Sequence, residues 1–331
     1  MEKALQGHED PREAVIALGL LRGLLQRLPE VKEWMGILHQ RSLVMSVLSH
    51  SHHSLRSTSN AEVIQASLGL LLTLSKTAEG CQCLLATDLS QMIWLPLSSI
   101  NKKLTKEWIQ VFTLALQLAL NLIRVGQQHA LEHILTVVAL LQDQLLAFLV
   151  GPKNGNLTRD KMDLTSSAAT LISHVMAFYK QWQLVHPASL SLFYSAMCSL
   201  LHVSACLLIR PSLLNMLVNN QKVSGSKQTE VKVATDEELQ RVRRLSSTDQ
   251  DYNRDYCSEA VSSHFPETVH VQNRLLDTIS SCLKMMISLS PDLVALITDD
   301  IMDIEAFEQL LQIGFSTPAF EQVKKLHFYS G

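Results

Sequence analysis

The stretch LSLFYSAMCSLLHVSACLLI, residues 190–209, decides the fold because such a helix must either cross a membrane or be enclosed by other helices. No Asp, Glu, Lys or Arg occurs between Lys180 and Arg210. A helix of about 20 mostly apolar residues is long enough to span the hydrocarbon core of a bilayer. The chain is therefore either a membrane protein or a protein that buries its helices from several sides.

One narrow, weakly polar stripe runs along each of the two most apolar segments. In the quoted stretch the stripe consists of Ser191, Ser195, Ser199, His202 and Cys206, within an arc of about 80°. In WIQVFTLALQLALNLI, residues 108–123, it consists of Gln110, Thr113, Gln117 and Asn121, within a similar arc. A helix wedged between neighbours needs this pattern. The stripes predict buried helices of a soluble protein, with a packed membrane bundle as the less favoured alternative.

The composition excludes several classes of protein. The 331 residues are 47% hydrophobic, which is enough for a large core and unlike a disordered chain. The net charge is −3 and no long basic run occurs, so nothing points to nucleic acid. The six cysteines form no CxxC pair, which indicates a reduced, cytosolic or nuclear compartment. The start MEKALQGHEDPRE has no apolar core, so no secretory leader is expected.

The spacing of apolar residues predicts an all-α protein, because no segment alternates like a half-buried strand. We expect Asp10 to cap a first helix beginning at Pro11, and Ser59 or Asn60 to cap a third. Helices are predicted from residue 11, about residue 30 and residue 61, then at about 88–99, 104–124, 128–150, 161–183, 188–210, 268–290 and 302–313. Helix pairs recurring every 45–55 residues or so predict an α-solenoid of stacked antiparallel pairs, HEAT/armadillo-like with irregular repeats.

A polar segment divides the predicted solenoid. The expected organisation is a helical solenoid at 1–219, a polar, disordered insertion at 220–266, C-terminal helices of the same solenoid at 267–320 and a divergent tail at 321–331. The insertion is rich in charge and contains one potential short helix, DEELQRVRRL. Arg243 and Arg244 precede Ser246, the order that basophilic kinases prefer, so Ser246 is a candidate phosphorylation site. A plain disordered loop is the alternative.

Two histidine-containing patterns suggest chemistry without completing a site. His129, Glu132 and His133 spell HxxEH, the inverted zinc-protease pattern, but no glutamate that might serve as third ligand occurs between His133 and Glu230. The run SHSHHS, residues 49–54, is interpreted as a solvated loop between helices. Phosphate-loop, dinucleotide and serine-hydrolase patterns are absent. We therefore predict no catalytic, cofactor-binding or metal-binding residue, and no enzyme.

The C-terminal helical segment reads VQNRLLDTISSCLKMMISLSPDLVALITDDIMDIEAFEQLLQIGFSTPAF, residues 271–320, and contains Ser290-Pro291-Asp292, Asp303-Ile304 and Phe315-Ser316-Thr317-Pro318. With these features it resembles the tail of the nucleoporin-188 family, the large inner-ring scaffold nucleoporins. The earlier stretch EDPREAVIALGLLRGLLQRLPEVKEW is also similar. The similarity covers about residues 1–320, and EQVKKLHFYSG at the end does not continue it.

The resemblance implies a non-enzymatic helical scaffold of the nuclear pore complex inner ring, at the nuclear envelope. It implies other nucleoporins as partners, among them a helical segment of nucleoporin-93, and support of nucleocytoplasmic protein and mRNA transport. A groove between stacked helices is a physically reasonable receptor for an amphipathic helix. Two alternatives remain: a transport-receptor-like solenoid that binds Phe-Gly repeats in apolar slots, and a multi-helix membrane protein.

Overall fold

The computed structural model of the protein describes residues 11–27, 42–58, 60–100, 104–155, 157–178, 187–224 and 266–289. Within these ranges the regular structure is helical, and the all-α prediction is confirmed. The helices are α1 (Pro11–Arg27), α2 (Leu43–Ser57), α3 (Ala61–Leu74), α4 (Ala78–Leu85), α5 (Leu95–Ser98), α6 (Lys106–Gly126), α7 (Gln128–Leu140), α8 (Gln142–Val150), α9 (Arg159–Met176), α10 (Pro187–Ile209), α11 (Pro211–Ser224) and α12 (Pro266–Ser288). A π-helical turn, Ser90–Trp94, leads into α5, and a 3-10 turn, Gly151–Asn154, follows α8.

The helices form two rows. In row A, α1 packs on α3, α3 on α6, α6 on α9 and α9 on α12. In row B, α2 packs on the π turn and α5, the π turn packs on α7, and α8 packs on α10. Contacts between the rows join α2 with α3, α6 with α7, α8 with α9 and α10 with α12. Each helix mainly touches its immediate neighbours, as stacked helix pairs do, and this order supports the predicted solenoid.

Helix α12 continues row A, although residues 225–265 separate it in sequence from α11. A second, smaller core forms at this end of the row from Leu157, Met162, Leu207, Leu214, Val218, Val271 and Leu275. The packing supports the expectation that the segments before and after the insertion form one array. Helix α11 ends at Ser224 and α12 begins at Pro266, a few residues from the expected boundaries. The division into four segments stays a prediction.

Helix α6 lies at the centre of the main core. It is enclosed by α3 and α9 within row A and by α4 and α7 beside it. Its fully buried Phe112 ring meets the Phe148 ring of α8 edge-on, with ring centroids 5.3 Å apart. Three residues of its polar stripe, Gln110, Thr113 and Gln117, line a groove beside α6 among the described residues.

By length and composition alone, Lys106–Gly126 and Ser189–Ile209 qualify as membrane spans among the described helices. The first of these, α6, is enclosed as described above. The second, within α10, packs on α8, α11 and α12 and buries Leu190, Phe193 and Met197 completely or nearly so. In these contacts other helices, and not lipid, cover the apolar side chains of α10. Of the Ser189–Ile209 segment, 44% is buried inside the protein, which is partial enclosure, and the membrane bundle stays the alternative.

Several predicted elements differ from the observed ones. The single helix expected at 128–150 is two helices, α7 and α8, with a bend of 72° at Leu141. The bend lets α7 pack on the π turn while α8 packs on α10. The short helix α4 was not predicted. Asn60 precedes α3 with a left-handed φ of 56° and no side-chain cap, so its expected capping bond is wrong. Asp10, Ser59 and the predicted helix at 302–313 lie outside the described residues. The predicted helix from about residue 30 lies outside them up to residue 41, and its end falls within α2.

The loop predicted for the run SHSHHS is wrong. The run lies within α2. Two of its serines, Ser51 and Ser54, are buried. The Ser51 hydroxyl donates to the Val47 carbonyl oxygen one turn earlier, at 2.8 Å, so its polar group is satisfied inside the helix. The His52 Nδ1 donates to the Met92 carbonyl oxygen at 3.2 Å and thereby ties α2 to the π turn.

Candidate partner-binding groove

A polar groove of about 730 Å³ runs along the exposed side of α6. We call it the row A groove. Its lining comes from α3, α6, the start of α9, α11 and α12, and consists of Gln65, Lys106, Gln110, Thr113, Leu114, Gln117, Thr158, Arg159, Asp160, Asp163, Val218 and Glu267. Ten of these twelve side chains are polar or charged, so the groove is a polar surface and not an apolar slot.

The floor of the groove is the polar stripe of α6 found in the sequence. Gln110, Thr113 and Gln117 line it, as their shared arc predicts. The fourth member, Asn121, instead donates its amide to the Ser75 hydroxyl at 3.3 Å and holds α6 to the end of α3. Three of the stripe's four members therefore line the groove in the part of the chain that the structure describes.

Hydrogen bonds position the wall contributed by α3. The Gln65 side-chain amide donates to the Glu107 carbonyl oxygen at 2.9 Å and joins α3 to the first turn of α6. Glu107 itself lies in the first turn of α6, and Thr105 is the residue that precedes this helix. A hydrogen bond from Thr105 lowers the pKa of the Glu107 carboxyl. The Thr113 hydroxyl donates to the Ile109 carbonyl oxygen at 2.8 Å, so it is held along its own helix.

Asp163 is the electrostatic centre of the α9 wall. Its Oδ1 accepts hydrogen bonds from His270 Nε2 at 2.9 Å and from Arg274 Nε at 2.5 Å, both on α12. Arg274 also donates to Asp277 Oδ2 at 2.9 Å. Asp160 lies 3.7 Å from Lys106 Nζ, a looser pair whose lysine is 70% exposed. The pair at Asp163 therefore fastens α12 to α9, while the pair at Asp160 is a solvated contact.

The predicted HxxEH residues do not assemble a site. His129, Glu132 and His133 are exposed on α7, on a different helix from any lining the groove. Among the residues that the structure describes, no group of three or more His, Cys, Asp or Glu side chains is placed to hold a metal ion. The candidate phosphorylation site, Ser246, lies outside the described ranges and stays a prediction.

The described cysteines are packed rather than activated. None of the described cysteines forms a disulfide: they are Cys81, Cys83, Cys198, Cys206 and Cys282. Burial raises the pKa of each of them, which disfavours the nucleophilic thiolate. Burial likewise raises the pKa of Tyr194, which hydrogen-bonds Cys198, to about 12. These groups behave as core residues.

Helix α1 carries a second apolar stripe beside the one it buries. Ala14, Leu18 and Leu21 are buried against the core, whereas Ile16, Leu20 and Leu24 are 62%, 61% and 45% exposed. The exposed residues are spaced by four and lie on one face of the helix. A helix at one end of row A therefore presents an apolar face to its surroundings among the described residues.

Comparison with known proteins connects the chain to one group of relatives. It is 24% identical to nucleoporin NUP188 of Homo sapiens over 344 aligned positions, which cover 95% of this chain and 19% of that protein. The Mus musculus nucleoporin NUP188 is 24% identical, and that of Xenopus tropicalis is 22% identical, each over 95% of this chain. No protein-family model matches. The chain spans about a fifth of the length of the curated relatives it matches.

Proposed function

We propose that this chain, which is related to the nucleoporin NUP188 proteins over nearly its whole length, is a non-catalytic helical scaffold that binds other nucleoporins at the nuclear pore. The observation that carries the proposal is the alignment, which covers 95% of the chain in three vertebrate relatives. The sequence resemblance predicted the same group. Nucleus, nuclear envelope and pore complex are accordingly the compartment that we assign.

The physical character of the molecule supports a binding role. Helices stacked in two rows give a long surface for their mass, which suits a protein that works by contact. The described thiols have raised pKa values, and no group of three or more described His, Cys, Asp or Glu side chains is placed to hold a metal ion.

The finer assignments rest on the resemblance alone. They are a place in the inner ring, support of nucleocytoplasmic transport and a helical segment of nucleoporin-93 as partner. An amphipathic helix docks through apolar side chains, and the row A groove offers only Leu114 and Val218. We therefore place the helical partner on another face of the molecule and assign it no residues.

The Phe-Gly alternative requires small apolar slots between outer helices. The apolar crevice between α1, α2 and α3, lined by Leu21, Leu43, Val44, Val47, Leu70, Leu71 and Leu74, is too narrow to admit a water molecule. A phenylalanine ring is far larger than water, so this crevice does not provide such a slot. This crevice therefore gives the transport-receptor alternative no support.

The experiment is a pull-down of the purified 331-residue chain, prepared without detergent, against the N-terminal helical peptide of nucleoporin-93. A scrambled peptide of the same composition is the control, and a Phe-Gly peptide at millimolar concentration tests the alternative. We expect capture of the helical peptide only. A soluble chain that captures neither peptide contradicts the assigned partner, capture of the Phe-Gly peptide favours the transport receptor, and solubility in detergent alone favours the membrane bundle.

A further inference from the structure

The outer side of helix α1 carries apolar and charged residues in one straight line. Ile16, Leu20 and Leu24 are 62%, 61% and 45% exposed. Glu13 and Arg27 lie at the two ends of the same line, and both are exposed. At 100° per residue, the five positions fall within an arc of about 80°. We call these five residues the α1 outer face.

The other side of α1 is already occupied by the protein itself. Ala14, Leu18 and Leu21 are buried, and α1 packs on α3. The Arg22 side chain lies over Gly69 of α3, where an added Cβ would come within 2.8 Å of the Arg22 Nη1. The α1 outer face lies about 130° round the helix from the buried stripe, and its apolar side chains are uncovered among the described residues.

The apolar part of this face is suited to another helix. Single exposed apolar side chains are normal on a protein surface, but three in a row form a contiguous ridge. Gly23 lies beside this ridge, and a Cβ added there would meet no atom within 4 Å. A second helix can therefore approach the main chain at this point, with its own ridge in the groove over the glycine.

The α1 outer face is complementary to itself when its direction is reversed. Positions 13 and 27, like positions 16 and 24, lie at equal distances from Leu20. Two antiparallel copies of α1 that cross at Leu20 therefore place Glu13 of each copy opposite Arg27 of the other. They also place Ile16 opposite Leu24, and Leu20 meets its own counterpart. A contact between identical copies about a two-fold axis requires this symmetry.

The two charges select the antiparallel arrangement. Glu13 and Arg27 form no ion pair with each other or with other described residues. Their positions in the first and last turns also match the dipole of their own helix. The dipole does not require them to lie in line with the exposed apolar residues. In a parallel pair like charges would meet at both ends, which opposes that arrangement.

We propose that a second copy of this chain packs on the α1 outer face, so that two α1 helices pair antiparallel about a two-fold axis at Leu20. One helix face from each copy buries less than the roughly 1,200 Å² of a stable interface, so the dimer is weak and forms where the chain is concentrated. The contact uses neither the row A groove nor the nucleoporin partners. It therefore stands or falls separately from the proposed function.

The first test is sedimentation equilibrium of the purified full chain at concentrations from about 1 to 200 μM. We expect the average mass to rise from that of one chain toward that of two. Leu20→Glu places two carboxylates together at the crossing point and should weaken the dimer at least about tenfold. Met216→Glu is the matched control, because Met216 is 51% exposed on α11, which packs on α10 and α12. It should leave the dimer unchanged.

The second test changes the charges. Glu13→Arg and Arg27→Glu each place like charges opposite one another, so each variant alone should dimerise about threefold more weakly or worse. An equimolar mixture of the two variants has an acid opposite a base in both pairs and should regain the strength of the unmodified dimer. Mixing cannot repair a charge that is unfavourable only within its own helix, so recovery reports contact between copies.

Circular dichroism checks that each variant is folded. Three results would overturn the proposal: the mass of one chain at every concentration, a dimer that Leu20→Glu leaves unchanged, or no recovery in the mixture of charge variants. The first of these would show that the α1 outer face is covered by residues of the same chain or by a different protein.

Discussion

At the scale of single residues, Asp163 joins parts of row A that are far apart in sequence. It accepts hydrogen bonds from His270 and Arg274, which follow it by 107 and 111 positions. The three side chains are between 21% and 38% exposed, so solvent screens the pairs only in part. Asp163 therefore helps to hold α12, the helix that follows the insertion, against α9.

The first prediction concerns this junction. Asp163→Ala removes the acceptor that His270 and Arg274 share, and we expect the free energy of unfolding to fall by about 1–2 kcal/mol. Asp160→Ala is the matched control on the same helix. Its pair with Lys106 is long and solvated, so its loss should cost less than about 0.5 kcal/mol. Urea unfolding of both variants gives the comparison, and equal losses would contradict the role of Asp163.

A second residue makes the stability depend on pH. His174 on α9 donates from Nδ1 to the Thr170 carbonyl oxygen, and its Nε2 accepts from Arg124 on α6. Burial lowers the pKa of His174 below 6.5 against the raising effect of the Thr170 bond, and the charges of Arg124 and Lys284 lower the pKa further. The folded protein therefore keeps this imidazole neutral at a pH where the unfolded chain protonates it.

The second prediction follows from the sign of this shift. The folded form binds fewer protons than the unfolded form, so the contribution of His174 is complete above pH 6.5 and is lost as the pH falls below it. His174→Gln should remove part of the decline in stability on acidification. The measurement is the urea midpoint of both proteins above and below pH 6.5. Parallel curves would show that His174 does not titrate in this way.

At the scale of elements, the turn between α3 and α4 depends on the absence of a side chain. The Thr77 hydroxyl accepts a hydrogen bond from the Gly80 N–H at 3.1 Å and caps α4. A Cβ atom on Gly80 would lie 2.1 Å from the Leu74 carbonyl oxygen, which is main chain and cannot rotate away. Only glycine lets α4 fold back this closely against the end of α3.

The third prediction compares two glycines in helices. Gly80→Ala should destabilise the protein by about 2–3 kcal/mol, because the turn must shift to admit the Cβ. Gly19→Ala in α1 should stabilise it by about 0.5–1 kcal/mol, because a Cβ there meets no atom within 4 Å and alanine favours a helix. Thermal unfolding distinguishes the two signs. Destabilisation by both changes to a similar extent would contradict the close approach at Gly80.

The helices that the sequence predicts correctly depend on local signals, whereas the features that it misses depend on packing between helices. Helices α6 and α10 were predicted within two residues of their ends, because their apolar faces and flanking residues are local signals. No glycine or proline near Leu141 indicates the bend in the sequence. It arises because α7 and α8 pack on different partners. In SHSHHS the polar composition suggested a loop, yet the Ser51 hydroxyl is satisfied by its own helix.

At the scale of the whole molecule, the row A groove shows why a site is harder to predict than a fold. The stripe of Gln110, Thr113 and Gln117 can be recognised from the sequence of α6 alone. Its exposure depends on how α3, α9, α11 and α12 surround α6, and the lining runs from Gln65 to Glu267. No sequence period connects positions that far apart. The sequence therefore predicts the polar face of α6, but the exposure of that face depends on how the neighbouring helices pack.

The fourth prediction concerns the distribution of stability along the stack. In an array of neighbour contacts, a central helix opens only when its neighbours do, while a terminal helix frays alone. Amide hydrogen exchange should be slowest in α6, which is enclosed by α3, α4, α7 and α9, and faster in α1, whose packing partner in row A is α3. Mass spectrometry of peptides from the two helices gives the rates. Equal protection of α1 and α6 would indicate one cooperative core in place of a stack.

The central claim is that this chain binds other nucleoporins at the pore, and cross-linking in place tests it most directly. Nuclear envelopes from cells that produce the chain are treated with a lysine-reactive cross-linker, and its linked peptides are identified by mass spectrometry. Exposed Lys106, beside the row A groove, provides one point of attachment. We expect cross-links from this chain to other nucleoporins. Cross-links confined to proteins outside the pore complex would contradict it.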